Sequence, residues 1–309
     1  MSIVFYSQTD APGPWRDAFA RALPTLAFRV WPETGPVEAV RYALVWKPPS
    51  EMLPRFANLK AILALSAGVD DLLADPNLPP NVPIVRLLDA GYSQQMAEYA
   101  IYAVICFQHR MPELLLQQRE SNWLQPEPAL ASRWSVGVMG LGTLGGFIAR
   151  TIAQLGYPVA GWSRSAKRIE GVTTFHGANQ FGEFLARSRV LVNVLPLTAE
   201  TRGILNRSTF SRMPRGAYVV NIARGAHLIE QDLAQSLDSG QLGGAMLDVF
   251  ETEPLPESHP FWHHPKVVVT PHIAGVTIAT EAQSQVIENV RRMERGEAPH
   301  GVVDRERGY

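Results

Sequence analysis

The stretch Ser135–Leu155 narrows the fold more than any other part of this 309-residue chain. A strand-like apolar run, Ser135–Met139, enters the loop Gly140-Leu141-Gly142-Thr143-Leu144-Gly145, and an amphipathic stretch, Phe147–Leu155, leaves it. In a strand–turn–helix of this kind Gly140 allows the tight turn and Gly142 lets a pyrophosphate approach the backbone. Gly145 lets the helix pack closely on the strand. The helix N-terminus then offers free N–H groups and the positive end of its dipole to phosphates. With 24 glycines in the chain the pattern alone is weak; the strand before it and the helix after it give it weight. Thr143 and Leu144, at the start of that helix, are grouped with the three glycines as candidate cofactor contacts.

Short β-rich runs alternate with helical stretches along the whole chain, which argues α/β architecture with parallel sheets. One series is Ile3–Tyr6, Ala27–Trp31, Tyr42–Trp46, Ala61–Leu65 and Ile84–Leu88. The other is Ser135–Met139, Pro158–Trp162, Val190–Leu195, Ala217–Ile222, Gly244–Phe250 and Lys266–Thr270. Between them lies one long helical stretch, Gln94–Gln118, read as the crossing between two domains. The helical stretch Thr277–Arg295 has no strand behind it in the second series and is expected to return to the first domain. The expectation is two Rossmann-like, doubly wound parallel-sheet domains with a discontinuous N-terminal one. Residues 1–97 plus 278–309 form the substrate domain and 98–277 the dinucleotide-binding domain.

Composition excludes several other classes. An apolar fraction of 46% and a charged fraction of 18% are those of a globular chain. A net charge of −1 argues against nucleic acid or an anionic membrane as partner. No apolar stretch approaches a membrane span, and strand-like residues from Ile3 leave no room for a signal peptide, so a cytoplasmic location is expected. The lone cysteine, Cys106, lies in an apolar run and reads as a buried small hydrophobe. The histidines lack metal-ligand spacing, so no metal is expected.

The strand after the glycine loop ends Ser163-Arg164-Ser165-Ala166-Lys167-Arg168, with no Asp or Glu between Gly140 and Ile169. NAD would call for a carboxylate here to accept from the ribose 2′-hydroxyl. Ser163, Arg164, Ser165 and Lys167 instead suit a 2′-phosphate, so NADPH (NADP+) is expected to be preferred, with NADH as the lesser cofactor.

Three further strands run into Arg224, Glu253 and His272. Ligands of open parallel sheets bind beyond the carboxyl ends of strands, so these three are candidates to converge. Together they suit reduction of a 2-oxo acid. Arg holds the carboxylate bidentately and polarises the carbonyl. His delivers a proton, and a carboxylate behind it fixes its tautomer.

Asn221–Gly225, Met246–Phe250 with Glu253-Pro254-Leu255, and Thr270-Pro271-His272-Ile273-Ala274 resemble the D-isomer-specific 2-hydroxyacid dehydrogenase family, over nearly the full chain. The resemblance implies that Arg224, Glu253 and His272 are the catalytic triad. It implies that Asp248 and the Ala223 carbonyl hold a nicotinamide carboxamide, with Pro196 beside the cofactor. It also implies that Ser66–Asp70 is a loop whose amides bind the substrate carboxylate. Substrate contacts then fall to Trp46, Ala67, Gly68, Arg224 and His272. A homodimer through the cofactor domain and the crossing arm is implied as well. The expected activity is NADPH-dependent reduction of glyoxylate and hydroxypyruvate, His272 being the proton donor. A reductase of bulkier 2-oxo acids and a dinucleotide-sensing binding protein remain alternatives.

Overall fold

The structure, a computed structural model, describes residues 1–308. It divides into two compact units, Met1–Gly91 with Thr277–Tyr309, and Tyr92–Val276. The division falls six residues before the expected 97/98, because helix Tyr92–Gln108 belongs entirely to the second unit.

The first unit carries strands β1 (Ser2–Ser7), β2 (Ala27–Val30), β3 (Val40–Trp46), β4 (Ala61–Ala64) and β5 (Ile84–Val85). They form one parallel sheet in the order β2-β1-β3-β4-β5. Tyr42–Val45 of β3 and all of β4 are buried on both faces, which is why these stretches read as apolar runs rather than alternations. Helix Ala279–Glu294 returns here: Tyr42 Oη and Lys60 Nζ both donate to Glu294 Oε1, at 2.5 and 2.9 Å. The tail is fastened by the Val303 N–H to the Ile84 carbonyl and by Arg305 to the carbonyls of Pro79 and Val82.

The second unit carries β6 (Val136–Met139), β7 (Val159–Ser163), β8 (Val172–His176), β9 (Val190–Asn193), β10 (Ala217–Asn221), β11 (Leu242–Leu247) and β12 (Val267–Val269). All pair in parallel, in the order β12-β11-β10-β9-β6-β7-β8, so the order in which the chain adds strands switches sides between β6 and β9. A switch of this kind opens a crevice at the carboxyl ends of the strands. One core face packs Met139, Phe184, Leu191, Phe210, Val219 and Leu247 among others.

Two sequence expectations are corrected. β8 lies outside both expected strand series; it is a half-exposed edge strand, Val-Thr-Thr-Phe-His, set between Gly171 and Gly177 at positive φ. The long helix is not continuous to Gln118. It ends at Gln108, Arg110 takes a left-handed φ of 54°, and a second helix, Met111–Arg119, begins with Pro112 in its first turn. Proline disfavours α geometry in the residue before it and is well placed only at a helix start. No helix among the described residues is long and apolar enough to cross a membrane, and no group of them could hold a metal ion.

Candidate active site

The glycine loop sits at the crevice. Gly140 has φ 100°, and a Cβ there would lie 2.9 Å from the Val194 carbonyl oxygen. A Cβ on Gly145 would meet the Gly140 carbonyl oxygen at 1.7 Å, so only glycine lets the helix come this close. A Cβ on Gly142 would meet nothing within 4 Å: this position faces open space. Helix Thr143–Gln154 starts there with no side-chain cap, leaving the N–H groups around Thr143 and Leu144 for an anion. The residues present therefore fit a dinucleotide pyrophosphate.

At the end of β7 the expected basic turn divides into two roles. Ser163 is buried and its Oγ donates to the Ser165 carbonyl at 2.8 Å, which shapes the turn. Arg164, Ser165 and Lys167 are exposed. The Arg164 charge reaches Glu200, whose carboxyl is held below the usual range first by the Thr198 hydroxyl and, to a lesser degree, by this guanidinium. Pro196 begins that same segment, and its carbonyl accepts from Thr201 Oγ1 at 2.7 Å and faces His227 Nε2 at 3.2 Å.

At the other side of the sheet, three neighbouring strands deliver three side chains. Arg224 follows β10, Glu253 follows β11, and His272 follows β12. His272 Nδ1 lies 2.8 Å from Glu253 Oε2, and Glu253 Oε1 accepts from the Phe250 N–H at 2.9 Å. The His272 side chain is 47% exposed, and among the described residues nothing bonds its Nε2. Burial pushes the Glu253 carboxyl up. The His272 ring, the Phe250 N–H and the Arg224 charge outweigh burial and hold it below the usual carboxylate range. Arg224 is half-buried, and its Nη1 donates to the Ala223 carbonyl at 2.8 Å. Its loop is pressed on the Glu253 loop: a Cβ on Gly225 would stand 1.8 Å from the Phe250 carbonyl carbon.

Asp248 carries a task beyond the one the resemblance implies. It is 1% exposed; Oδ1 accepts from Thr270 Oγ1 at 2.6 Å and from the Ile273 N–H at 2.8 Å, and Oδ2 accepts from the Ala274 N–H at 2.8 Å. Three of a carboxylate's roughly four acceptor positions are thus taken by the turn that carries His272. His272 itself has φ 55°, a left-handed conformation that a β-carbon residue adopts only when its surroundings impose it.

Sequence reasoning missed the groups that hold these loops. Buried Asn193 and Asn221 end adjacent strands, and Asn221 Nδ2 donates to the Arg224 carbonyl at 3.0 Å. His227, fully buried, has Nδ1 3.2 Å from that same carbonyl. The readable signal was an asparagine closing each of two otherwise apolar strand runs, 190–193 and 217–221.

In the first unit, Trp46 is half-buried at the end of β3 with Lys47 Nζ 5.5 Å from its ring centre. Within Ser66–Asp70, Ser66 Oγ donates to the Gly68 carbonyl at 2.6 Å, and Arg86 makes a long 3.4 Å contact to the Ala67 carbonyl.

Residues 101–274 match the family described as D-isomer specific 2-hydroxyacid dehydrogenase, NAD binding domain. The chain belongs to the D-isomer-specific 2-hydroxyacid dehydrogenase family. It is 46% identical to a glyoxylate/hydroxypyruvate reductase A of Photorhabdus laumondii, over all of both chains. A D-isomer-specific 2-hydroxyacid dehydrogenase from Xanthobacter autotrophicus Py2, solved with NADPH and MES, superposes with a TM-score of 0.96 at 44% identity. That match covers 100% of this chain and 99% of the other. An NADPH-dependent glyoxylate/hydroxypyruvate reductase from Sinorhizobium meliloti, solved with NADP and sulfate, superposes at 0.92 and 34% identity with the same coverage.

Proposed function

We propose that this dehydrogenase reduces small 2-oxo acids, glyoxylate to glycolate and hydroxypyruvate to D-glycerate, using NADPH in the cytosol. The observation that carries the reading is the His272–Glu253 pair, 2.8 Å apart, set beside Arg224 at the ends of three adjacent parallel strands. The names of the Photorhabdus and Sinorhizobium relatives support the same substrates.

The sheet supports an ordered arrangement of the contacts. From β12, which leads to His272, to β7, which leads to Arg164, there are five strand steps, or ~24 Å at ~4.8 Å each. Arg164, Ser165 and Lys167 hold the 2′-phosphate at one end, and the glycine loop with Thr143 and Leu144 holds the pyrophosphate near the middle. Pro196 and the Ala223 carbonyl lie toward the reacting end. A reduced nicotinamide bound there supplies the hydride to the carbonyl carbon.

Arg224 binds the substrate carboxylate with its planar fork and polarises the adjacent carbonyl. For the first unit, the family resemblance implies Trp46, Ala67 and Gly68 as substrate contacts. His272 transfers its Nε2 proton to the carbonyl oxygen, completing the hydroxyl, and is left as the neutral imidazole. Glu253 accepts from Nδ1 and so holds the ring's orientation and tautomer, with Nε2 turned outward.

The assembly we propose is a homodimer through the cofactor unit and the segment after Gln108, where Leu115, Leu124 and Leu130 are exposed and Trp123 is 97% exposed. Light scattering on the wild type and on Trp123→Glu checks it: a monomeric wild type would overturn the dimer. For the activity, purified protein is mixed with NADPH and glyoxylate or hydroxypyruvate and the nicotinamide absorbance is followed. Loss of absorbance with either acid supports the reading, and its absence with both removes it.

A further inference from the structure

Three side chains outside the proposed triad form a directed chain of hydrogen bonds ending at the His272 turn. Tyr99 Oη lies 2.6 Å from Thr270 Oγ1, and Thr270 Oγ1 lies 2.6 Å from Asp248 Oδ1. Asp248 already receives the Ile273 and Ala274 N–H groups, so it acts here as an acceptor and takes the single Thr270 hydroxyl proton. Thr270 then has only a lone pair for its other neighbour. The Tyr99 hydroxyl must be the donor.

Tyr99 is suited to that duty. Burial, with the Asp248 charge nearby, outweighs the lowering effect of the Thr270 contact and pushes its hydroxyl well above the ordinary tyrosine range, so the proton stays on the oxygen. The helix bearing it, Tyr92–Gln108, is the platform of the whole turn. Gln95, four residues earlier on the same face, brackets Val276: its Nε2 donates to the Val276 carbonyl at 2.8 Å and its Oε1 accepts the Val276 N–H at 3.3 Å. Gly275 is pressed on this helix, since a Cβ there would lie 2.9 Å from Met96 Cγ and 3.3 Å from the Tyr92 ring. His272 keeps its left-handed backbone between these anchors, with its N–H donating to the Asp248 carbonyl at 2.8 Å.

We propose that Tyr99 is a positioning residue for His272: by donating to Thr270 it commits the Thr270 proton to Asp248 and so fixes the turn that aims the imidazole. The role rests on His272 being the proton donor of the proposed reduction. Without the Tyr99 proton, Thr270 is free to rotate its hydroxyl toward other acceptors. One anchor of Asp248 is then shared, and the turn samples conformations in which His272 Nε2 is misplaced. Small misplacements of a reacting group reduce turnover much more than they reduce ground-state binding.

The test uses the full-length enzyme with NADPH and glyoxylate, comparing Tyr99→Phe, Thr270→Val, Thr270→Ser and the Tyr99→Phe/Thr270→Val double variant. Tyr99→Phe and Thr270→Val should each lower kcat by about fivefold or more, the scale of one net hydrogen bond, with KM for the oxo acid within about twofold. Thr270→Ser restores the hydroxyl and should return kcat to near the wild-type value. The double variant should be no slower than Thr270→Val alone, because both break one chain. A second readout is independent of turnover: amide hydrogen exchange at Ile273 and Ala274 should quicken in Tyr99→Phe while Val219 and Val220 in β10 keep their protection. Wild-type kcat and unchanged Ile273 and Ala274 exchange in Tyr99→Phe would overturn the proposal, as would an additive double variant. Failure of the proposed reaction is told apart by the wild type itself showing no turnover, a case in which the exchange experiment still decides whether Tyr99 holds the turn.

Discussion

Asn193 Nδ2 donates to Asn221 Oδ1 at 3.0 Å, between two fully buried amides that close the adjacent strands β9 and β10. The pair works outward in both directions. Asn193 Oδ1 accepts the Leu195 N–H at 3.2 Å, shaping the turn toward Pro196, and Asn221 Nδ2 reaches the Arg224 carbonyl. A proposed cofactor contact and the proposed carboxylate clamp thus share one buried hydrogen-bonded support.

Asn221→Ala should therefore act on stability and binding together. It strands the Asn193 amide in a dry interior, and an unsatisfied buried polar group destabilises by about 1–3 kcal/mol. The urea midpoint should fall accordingly, and KM for the oxo acid should rise as the Arg224 loop loosens. A variant with wild-type stability and KM would show that the asparagine pair supports neither loop.

Arg164→Ala tests the cofactor reading. Losing a charged hydrogen bond to a 2′-phosphate weakens binding by about 1.5–3 kcal/mol, or roughly 10- to 150-fold, so kcat/KM for NADPH should drop by that order. With NADH, which lacks that phosphate, the change should be small. Because Arg164 is exposed, the contrast should shrink as salt is raised. Equal losses with the two cofactors would remove Arg164 from the 2′-phosphate site.

Arg224→Lys and His272→Asn separate binding from proton transfer. Lysine keeps the charge but loses the planar fork, so Arg224→Lys should raise KM for the oxo acid and lower kcat. His272→Asn leaves the clamp in place and removes the proton donor, so it should chiefly lower kcat. Steady-state kinetics on both variants decide this, and wild-type kinetics in Arg224→Lys would assign the clamp elsewhere.

The strand–loop–helix at Gly140–Gly145 was legible because glycine is there for reasons local to the backbone: a positive φ at Gly140 and a near-contact at Gly145. The strand-end positions of Arg224, Glu253 and His272 were legible because each follows a short apolar run bounded by turn residues, even though the last run, β12, is a half-buried edge strand. The supports were not. Tyr99 meets Thr270 across 171 residues and Asn193 meets Asn221 across 28, distances over which no periodicity speaks. Ser163 is illegible for a related reason: the sequence shows a hydroxyl, but that its proton goes to the Ser165 carbonyl depends on the turn. The helix break at Arg110 has a visible cause in Pro112, which the apolar pattern on either side masks.

Glu253 gives the pH prediction its sign. Its folded carboxyl titrates below the usual range because the His272 ring, the Phe250 N–H and the Arg224 charge outweigh the effect of burial. A glutamate with a folded pKa below its unfolded value of ~4.3 binds fewer protons folded than unfolded around that pH. Its contribution to stability is complete above the unfolded value and is lost as pH falls through the lower folded one. Glu253→Gln removes that contribution at every pH. The stability difference between wild type and Glu253→Gln should therefore shrink as pH is lowered from about 5 to about 3. The Glu253 side chain is 36% exposed, so solvent screening keeps the effect modest. Kinetics carry a second, independent sign. The proposed reduction consumes a proton and the reverse oxidation of the hydroxy acid releases one, so the two directions should respond oppositely to rising pH. Denaturation midpoints measured on both proteins across the acid range are the check. A difference that stays flat from about pH 5 to about pH 3 would mean that the His272–Glu253 contact is not what holds the carboxyl ionised.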